Sequence, residues 1–221
     1  IDLGRTRDRL AIASSYSYFQ NTEYYRQEFK SYSNLQRNVI VEWAIAIQAK
    51  PGQQIPYQKI IQALIWLKKD LHYNIKKITT DQREGGAQFR QDLEIAGFEV
   101  GHLSVDMIRD PYETLESLIT EKRVILPNNP LFRLEYTELL DDGIKIDHPN
   151  VFTNKKRGSK DLSDAIAGSV YTSHQAEKIF NPALLMKEEE MNKPKENFFD
   201  KIAKGHQIKN IGNKFNRNYY I

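Results

Sequence analysis

The order of strand-like and helix-like segments most limits how this chain folds. Three apolar runs of β-type residues come first, at 1–5, 9–14 and 39–49. From residue 57 onward, helically spaced apolar residues alternate with short strand-like runs. Strands joined by short loops pair as antiparallel neighbours, whereas helical crossovers make later strands parallel. The sequence therefore predicts an α/β fold with a mixed sheet and helices on both faces.

Each later element has its own signal. Apolar periodicity and turn residues predict helices at 57–71, 86–96 and 110–122, a short helical piece from Pro130, and a closing helix that begins near Asp161. Strands are predicted at 75–80, 98–105 and 124–126, and a hairpin at 139–147 whose turn is Asp141-Asp142-Gly143. The tyrosine-rich stretch 15–37 is left unassigned, with an extension of the second strand as the alternative.

Composition excludes several classes of protein and suggests a boundary. The 221 residues are 40% hydrophobic, enough for a core, and no apolar run approaches the roughly 18 residues of a membrane helix. Because cysteine is absent, disulfide and cysteine–zinc chemistry are excluded. The chain begins at Ile1 without an initiator methionine, so we expect a fragment of a longer protein. We expect one domain at 1–180 and a polar, lysine-rich tail at 181–221.

Three aspartates occupy positions where chemistry is expected. Asp2 lies in the first predicted strand, Asp81 follows the fourth, and Asp164 lies in the first turn of the closing helix. Ligands of such sheets bind at the carboxyl ends of the strands, so the three carboxylates could converge there. Carboxylates brought together repel one another, and hard oxygen ligands select Mg²⁺ or Mn²⁺. Two such ions would suit the hydrolysis of a phosphodiester.

Structural explanations compete at some of these positions. Asp161 could be only a helix N-cap. Asp81 could cap the helix that follows it, and Glu84 could take its place as a ligand. Asp2 is harder to explain in this way, because aspartate is unfavourable in a buried strand without a partner.

Positive charge is concentrated in two places. Lys155, Lys156, Arg157 and Lys160 lie just before the closing helix, where they could contact a phosphate backbone. Residues 193–221 carry seven lysines and arginines against two acids, with aromatic residues between them. A solvated tail is the more ordinary explanation of that second run.

Four segments together resemble the nuclease domain of the large terminase subunit of tailed bacteriophages. They are IDLGRTRDRLAIA at the start, IKKITTDQ, AGFEVGHLSVD, and GIKIDHPN followed by GSKDLSDAIAGSVY. The resemblance covers roughly residues 1–175, and its KDxxDA motif is the most specific part. It implies a ribonuclease H-like fold with a sheet of five or more strands.

The resemblance also implies roles for individual residues. Asp2, Asp81 and Asp164 correspond to the catalytic metal ligands, which bind Mg²⁺ or Mn²⁺, with two ions expected. Asp8 and Asp161 are expected to be auxiliary acids, Asp161 also as a metal ligand. The hairpin with Lys145 and the basic loop after it, up to Lys160, correspond to elements that approach DNA.

The implied protein cuts concatemeric double-stranded DNA during packaging. Its full-length form would carry an N-terminal ATPase domain and would meet the portal and the small terminase subunit, at the procapsid in the host cytoplasm, without a membrane. This chain has no GxxxxGK[ST] loop, so we expect it to cut DNA without hydrolysing ATP. The alternatives are a Holliday-junction resolvase or another ribonuclease H-like nuclease, and a non-catalytic DNA-binding or docking module. A transposase is disfavoured because it would ordinarily have a closing glutamate.

Overall fold

A computed structural model describes residues 1–4, 9–24, 32–81, 86–154 and 158–176. Its helices are α1 (Tyr57–Lys69), α2 (Gly86–Ile95), α3 (Asp110–Thr120), α4 (Pro130–Thr137) and α5 (Asp161–Gln175). Its strands are β1 (Leu10–Tyr24), β2 (Tyr32–Ile47), β3 (Ile78–Thr80), β4 (Val100–His102), β5 (Val124–Ile125), β6 (Leu140–Asp141) and β7 (Ile146–Asp147). Residues Ile1–Ala176 form one compact unit. The predicted tail at 181–221 lies outside the described residues.

The long antiparallel pair β1–β2 is the centre of this unit. Its register is interrupted once, because Ser14 pairs with Trp43 and Ser15 with Val41, which leaves Glu42 as an extra residue. Such a bulge shifts the side-chain alternation of one strand by one position. Val39 and Val41 therefore face the same side of the sheet as Ala44 and Ala46 beyond the bulge.

Helices cover both faces of this pair. One apolar cluster joins Ala11 and Val39 to residues of α3, α4 and α5, among them Leu115, Phe132 and Ile166. The other cluster joins Leu10 and Ile12 to residues of α1 and α2, among them Ile61, Leu64, Phe89 and Leu93. Neighbouring residues of β1 thus belong to different clusters, as the alternation of side chains along a strand requires. The two-sided α/β arrangement agrees with the sequence.

The sheet itself differs from the prediction. β2 pairs antiparallel with β1 and parallel with β5, so this three-stranded sheet is mixed. β3 and β4 pair parallel in a separate two-stranded sheet, and β6 and β7 form a hairpin. A single five-stranded sheet is therefore not confirmed within the described residues.

The two sheets stay separate because residues 1–4, predicted as the first strand, pair too little to join them. Among residues 1–4, strand pairing is limited to one antiparallel bridge, in which Asp2 and Ala11 exchange two backbone hydrogen bonds of 2.9 Å. On the other side, the nitrogen of Ile1 donates to the carbonyl of Thr79 in β3, at 2.7 Å. Residues 1–3 thus lie between β1 and β3 with too little pairing to form a strand of their own.

Helix α5 lies against the segment that follows β4. Gly168 makes this approach possible, because a Cβ there would lie 3.2 Å from a methyl group of Val105 and 3.3 Å from one of Leu103. Ala165 and Ala167 are buried on the same helix. Small residues thus bring the first turn of α5 close to the ends of β3 and β4. Within the described residues, no helix is both long and apolar enough to span a bilayer.

Candidate functional site

Four aspartates line one small cavity where these elements meet. Asp2 comes from the segment beside β1, Asp81 follows β3, Asp106 follows β4, and Asp164 lies in the first turn of α5. The cavity volume is about 20 Å³, and apolar side chains such as Leu103 and Val105 complete its wall. The structure thus brings Asp2, Asp81 and Asp164 together, while their catalytic role stays a prediction.

Asp164 is the most deeply enclosed of these acids. Its side chain is 3% exposed, and its Oδ1 accepts a 2.7 Å hydrogen bond from the buried hydroxyl of Tyr112. Burial raises the pKa of Asp164 to about 7, against the lowering effect of Lys160 and with a further rise caused by Asp106. Burial and the Asp164 charge together also raise the pKa of Tyr112. The tyrosine therefore stays a hydrogen-bond donor that fixes the orientation of this carboxylate.

Asp106 is the residue that the sequence interpretation missed. It follows β4 as Asp81 follows β3, and these strands are parallel neighbours whose carboxyl ends lie at one edge. That equivalence was the available signal, within the stretch AGFEVGHLSVD. The Asp106 side chain is 34% exposed, so it lies at the margin of the cavity.

Lys160 differs from its predicted place. It was expected in a basic loop facing DNA, but its side chain is only 6% exposed. Its Nζ lies 2.5 Å from Asp106 Oδ1 and 3.4 Å from Asp164 Oδ1. Burial by itself lowers the pKa of Lys160, but the charges of Asp164 and Asp106 outweigh it and raise the pKa above the ordinary value. The side chain is therefore a buried counter-ion to the cavity acids.

Asp81 is held by the loop next to it. The hydroxyl of Ser104 donates to Asp81 Oδ1 at 3.4 Å, and Arg90 of α2 donates to the Asp81 carbonyl at 2.9 Å. Gly86 allows α2 to begin close by, since a Cβ there would lie 3.0 Å from the Asp81 carbonyl oxygen. Glu84, the alternative ligand, lies outside the described residues.

Asp161 lies outside the cavity and does not cap α5. Its Oδ2 accepts a 3.2 Å hydrogen bond from the backbone nitrogen of Arg9. The cap comes from Glu135 of α4, whose Oε2 accepts from the amides of Leu162 and Ser163 at 3.0 and 2.9 Å. Asp161 is thus the first helical residue rather than the N-cap, and its role as an auxiliary acid and metal ligand stays a prediction.

Glu135 is itself fully buried, with 0% of its side chain exposed. Besides the two amides of α5, its Oε1 accepts from the Ser159 hydroxyl at 2.9 Å and from Arg9 Nη1 at 3.3 Å. Burial raises the pKa of Glu135 despite these donors. This tertiary cap fixes the start of the helix that carries Asp164.

The other predicted DNA contacts are only partly described. Lys145 is exposed on the β6–β7 hairpin, where its Nζ lies 2.5 Å from Asp147 Oδ2. The opposite strand is held by Arg109, which donates two hydrogen bonds of 2.6 and 2.7 Å to Asp141. The predicted contacts Lys155, Lys156 and Arg157, and the auxiliary acid Asp8, lie outside the described residues.

The donor set of the cavity suits a hard divalent cation. It offers carboxylate oxygens, which Mg²⁺ and Mn²⁺ prefer, and its volume corresponds to about one water-sized species. Within the described parts of the chain, however, no three carboxylates or histidines are arranged to hold a metal ion. The Lys160 ammonium lies against two of the acids instead.

No protein-family model and no curated protein matches this chain. Among solved structures, it is similar to the large terminase of bacteriophage HK97, with a TM-score of 0.45 and 15% identity over 78% of this chain and 40% of that one. It is also similar to the large terminase nuclease of thermophilic phage G20c with bound magnesium, with a TM-score of 0.47 and 14% identity over 75% of this chain and 84% of that one. The chain thus spans less than half of the HK97 protein. These likenesses are distant.

Proposed function

We propose that this chain is a metal-dependent DNA endonuclease, the nuclease part of a viral DNA-packaging terminase. The observation that carries the proposal is the convergence of Asp2, Asp81, Asp106 and Asp164 on one cavity at the ends of β3 and β4. A protein that only bound DNA would have no physical reason to place four acids where they repel one another and the phosphates. The sequence resemblance supports the more specific assignment to the terminases.

Each acid would contribute differently to cation binding. The Asp164 carboxylate is oriented by Tyr112 before a ligand arrives, and the backbone of Asp2 is held by its two hydrogen bonds to Ala11. Asp81 and Asp106 are more accessible and would complete the ligand set from the open side. Bound Mg²⁺ or Mn²⁺, as one or two ions, would supply Lewis-acid polarisation of the scissile phosphate and of the attacking water.

Double-stranded DNA, as concatemers awaiting packaging, is the proposed substrate. Lys145, Lys155, Lys156 and Arg157 are proposed to contact phosphates, which positions a strand without reading its bases. Asp8 is proposed as an auxiliary acid. In the full-length protein, an N-terminal ATPase domain, the portal and the small subunit are the proposed partners, at the procapsid in the host cytoplasm.

Nicking of a supercoiled plasmid tests the proposal. With Mn²⁺ we expect cleavage by the wild type, none in EDTA, and none by Asp81→Asn or Asp164→Asn, because each exchange removes a charged ligand while preserving size. Asp70→Asn is the matched control, since Asp70 is exposed at the end of α1. A folded Asp81→Asn variant that nicks at the wild-type rate would contradict the proposal.

The same samples separate the alternatives. DNA binding by gel shift without cleavage under any metal would indicate a docking module. Strong preference for a four-way junction over linear duplex would favour a resolvase instead of a packaging nuclease.

A further inference from the structure

The Lys160 side chain links three parts of the molecule at one buried point. Its Nζ lies 2.5 Å from Asp106 Oδ1 and 3.4 Å from Asp164 Oδ1. It also donates a 3.1 Å hydrogen bond to the carbonyl of Ile146 in β7. The ammonium thus bridges the loop after β4, the first turn of α5 and the β6–β7 hairpin.

The Lys160 ammonium occupies the place that a cation would take between Asp106 and Asp164. A buried ammonium is stable only when nearby acceptors replace its water shell, and these three oxygens do so. The Tyr112 ring adds a face of negative potential, with its centroid 5.8 Å from Nζ. The Lys160 side chain is therefore placed to neutralise these acids and is not exposed for contact with a phosphate.

We propose that Lys160 is the internal counter-ion of the metal-free site, that it competes with the divalent cation for Asp106 and Asp164, and that its displacement frees the hairpin. The inference rests on the proposed function, because it assumes that these acids bind a metal. A divalent cation and an ammonium repel each other strongly when both contact one carboxylate in a water-poor site. Binding of the metal therefore requires Lys160 to withdraw from Asp164.

The hairpin carries the structural consequence. Its β6 strand stays tied to α3 through Arg109 and Asp141, whereas β7 is tied to the site by Lys160 through the Ile146 carbonyl. When Lys160 withdraws, β7 loses this contact and the hairpin becomes more mobile. Binding of the metal in the cavity would thus increase the mobility of the β6–β7 hairpin at the surface.

Two measurements on the intact chain test the inference. The first is Mn²⁺ affinity of wild type and Lys160→Met, by titration calorimetry. Methionine keeps an unbranched side chain of similar length but removes the ammonium, and with it the competing charge. We expect the apparent Kd for Mn²⁺ to fall at least about fivefold, because the competitor no longer restricts the fraction of binding-competent sites. Lys69→Met, an exposed lysine of α1, is the control for loss of one positive charge and should leave the Kd unchanged.

The second measurement is amide hydrogen exchange of residues 142–150 in the wild type, with and without Mn²⁺. We expect faster exchange with the metal, and fast exchange in Lys160→Met whether or not the metal is present. If the lysine stays in place and only repels the metal, the variant still binds Mn²⁺ more tightly, but hairpin exchange in the wild type does not change on adding Mn²⁺. That result would overturn the displacement.

The outcomes separate this inference from the proposed function. A wild type that binds no Mn²⁺ refutes both. A wild type that binds Mn²⁺, with equal or weaker binding by a folded Lys160→Met, refutes the role of Lys160 alone. If that variant does not fold, unchanged hairpin exchange in the wild type on adding Mn²⁺ still overturns the inference.

Discussion

Glu135 is the residue whose replacement most directly tests how the site is built. It is fully buried in α4, and its carboxylate receives two amides of α5, the Ser159 hydroxyl and the Arg9 guanidinium. Glu135→Ala removes all four contacts and leaves the two buried amides of α5 without an acceptor. Loss of a helix cap costs about 1 kcal/mol, and loss of a partner from a buried charged pair costs about 3–5 kcal/mol.

These contributions overlap, because the same carboxylate makes both. We therefore expect Glu135→Ala to reduce the free energy of unfolding by about 3–5 kcal/mol. Glu135→Gln should cost less, about 1–2 kcal/mol, because one amide oxygen can still accept from α5. Burial already disfavours the charged form, as the raised pKa of Glu135 shows. Urea denaturation followed by circular dichroism measures both values.

Glu94→Gln is the control, because Glu94 is an exposed acid of α2 and should change stability by less than about 0.5 kcal/mol. If Glu135→Ala costs no more than this control, the carboxylate does not cap α5 and our account of how Asp164 is positioned is wrong. If the glutamine variant costs as much as the alanine variant, the negative charge is essential and the protonated form is not tolerated.

Two further predictions concern stability. Gly158→Ala should destabilise the protein by more than about 2 kcal/mol in thermal or urea melts, because the added Cβ would overlap the Pro149 carbonyl. The control is Gly143→Ala, which lies in open space at φ +85° and should cost only about 1 kcal/mol. Equal losses in the two variants would contradict this explanation. In EDTA, the melting temperature should fall as pH rises from 5 to 8, because the pKa of Asp164 is raised to about 7. The stabilising contribution of the protonated carboxyl is complete below the unfolded pKa near 4 and is lost as pH rises through 7. Asp164→Asn should flatten this slope, and parallel wild-type and variant curves would refute it.

The helices could be predicted from the sequence because each carries its own apolar face. The buried residues Ile60, Ile61 and Leu64 define α1 without reference to any other part of the chain. Strand limits depend on distant partners instead. Residues 75–77 were predicted to be part of a strand, but β3 is only three residues long and pairs with β4 over Val100–His102.

The candidate site could also be predicted only in part from the sequence. Asp2 and Asp81 could be selected because the predicted strand order places them near one edge, and Asp164 because it lies in the first turn of the closing helix expected to pack there. Asp106 was missed although it follows β4, whose carboxyl end lies beside that of β3; the close packing of Gly168 against Leu103 and Val105 then brings α5 to the same place. Lys160 was misplaced because its basic neighbours suggested a solvated loop, although its spacing of four residues from Asp164 is typical of a helical ion pair.

The start of α5 brings together charges that bear on the proposed binding of a cation. Three charged residues at the start of the helix contact different surroundings: Lys160 contacts Asp106 and the hairpin, Asp161 contacts the backbone of Arg9, and Asp164 lines the cavity. The positive end of the helix dipole favours negative charge at Asp164, but only by about 0.3–2 kcal/mol. Lys160 neutralises at most one of the four carboxylate charges that line the cavity. Protonation of Asp164 reduces this charge, as its raised pKa indicates, and the proposed divalent cation would also reduce it. These two responses compete for the same carboxylate. Because protonation is lost above pH 7 and metal binding is strengthened there, the proposed nuclease should bind its metal most tightly on the alkaline side of neutrality.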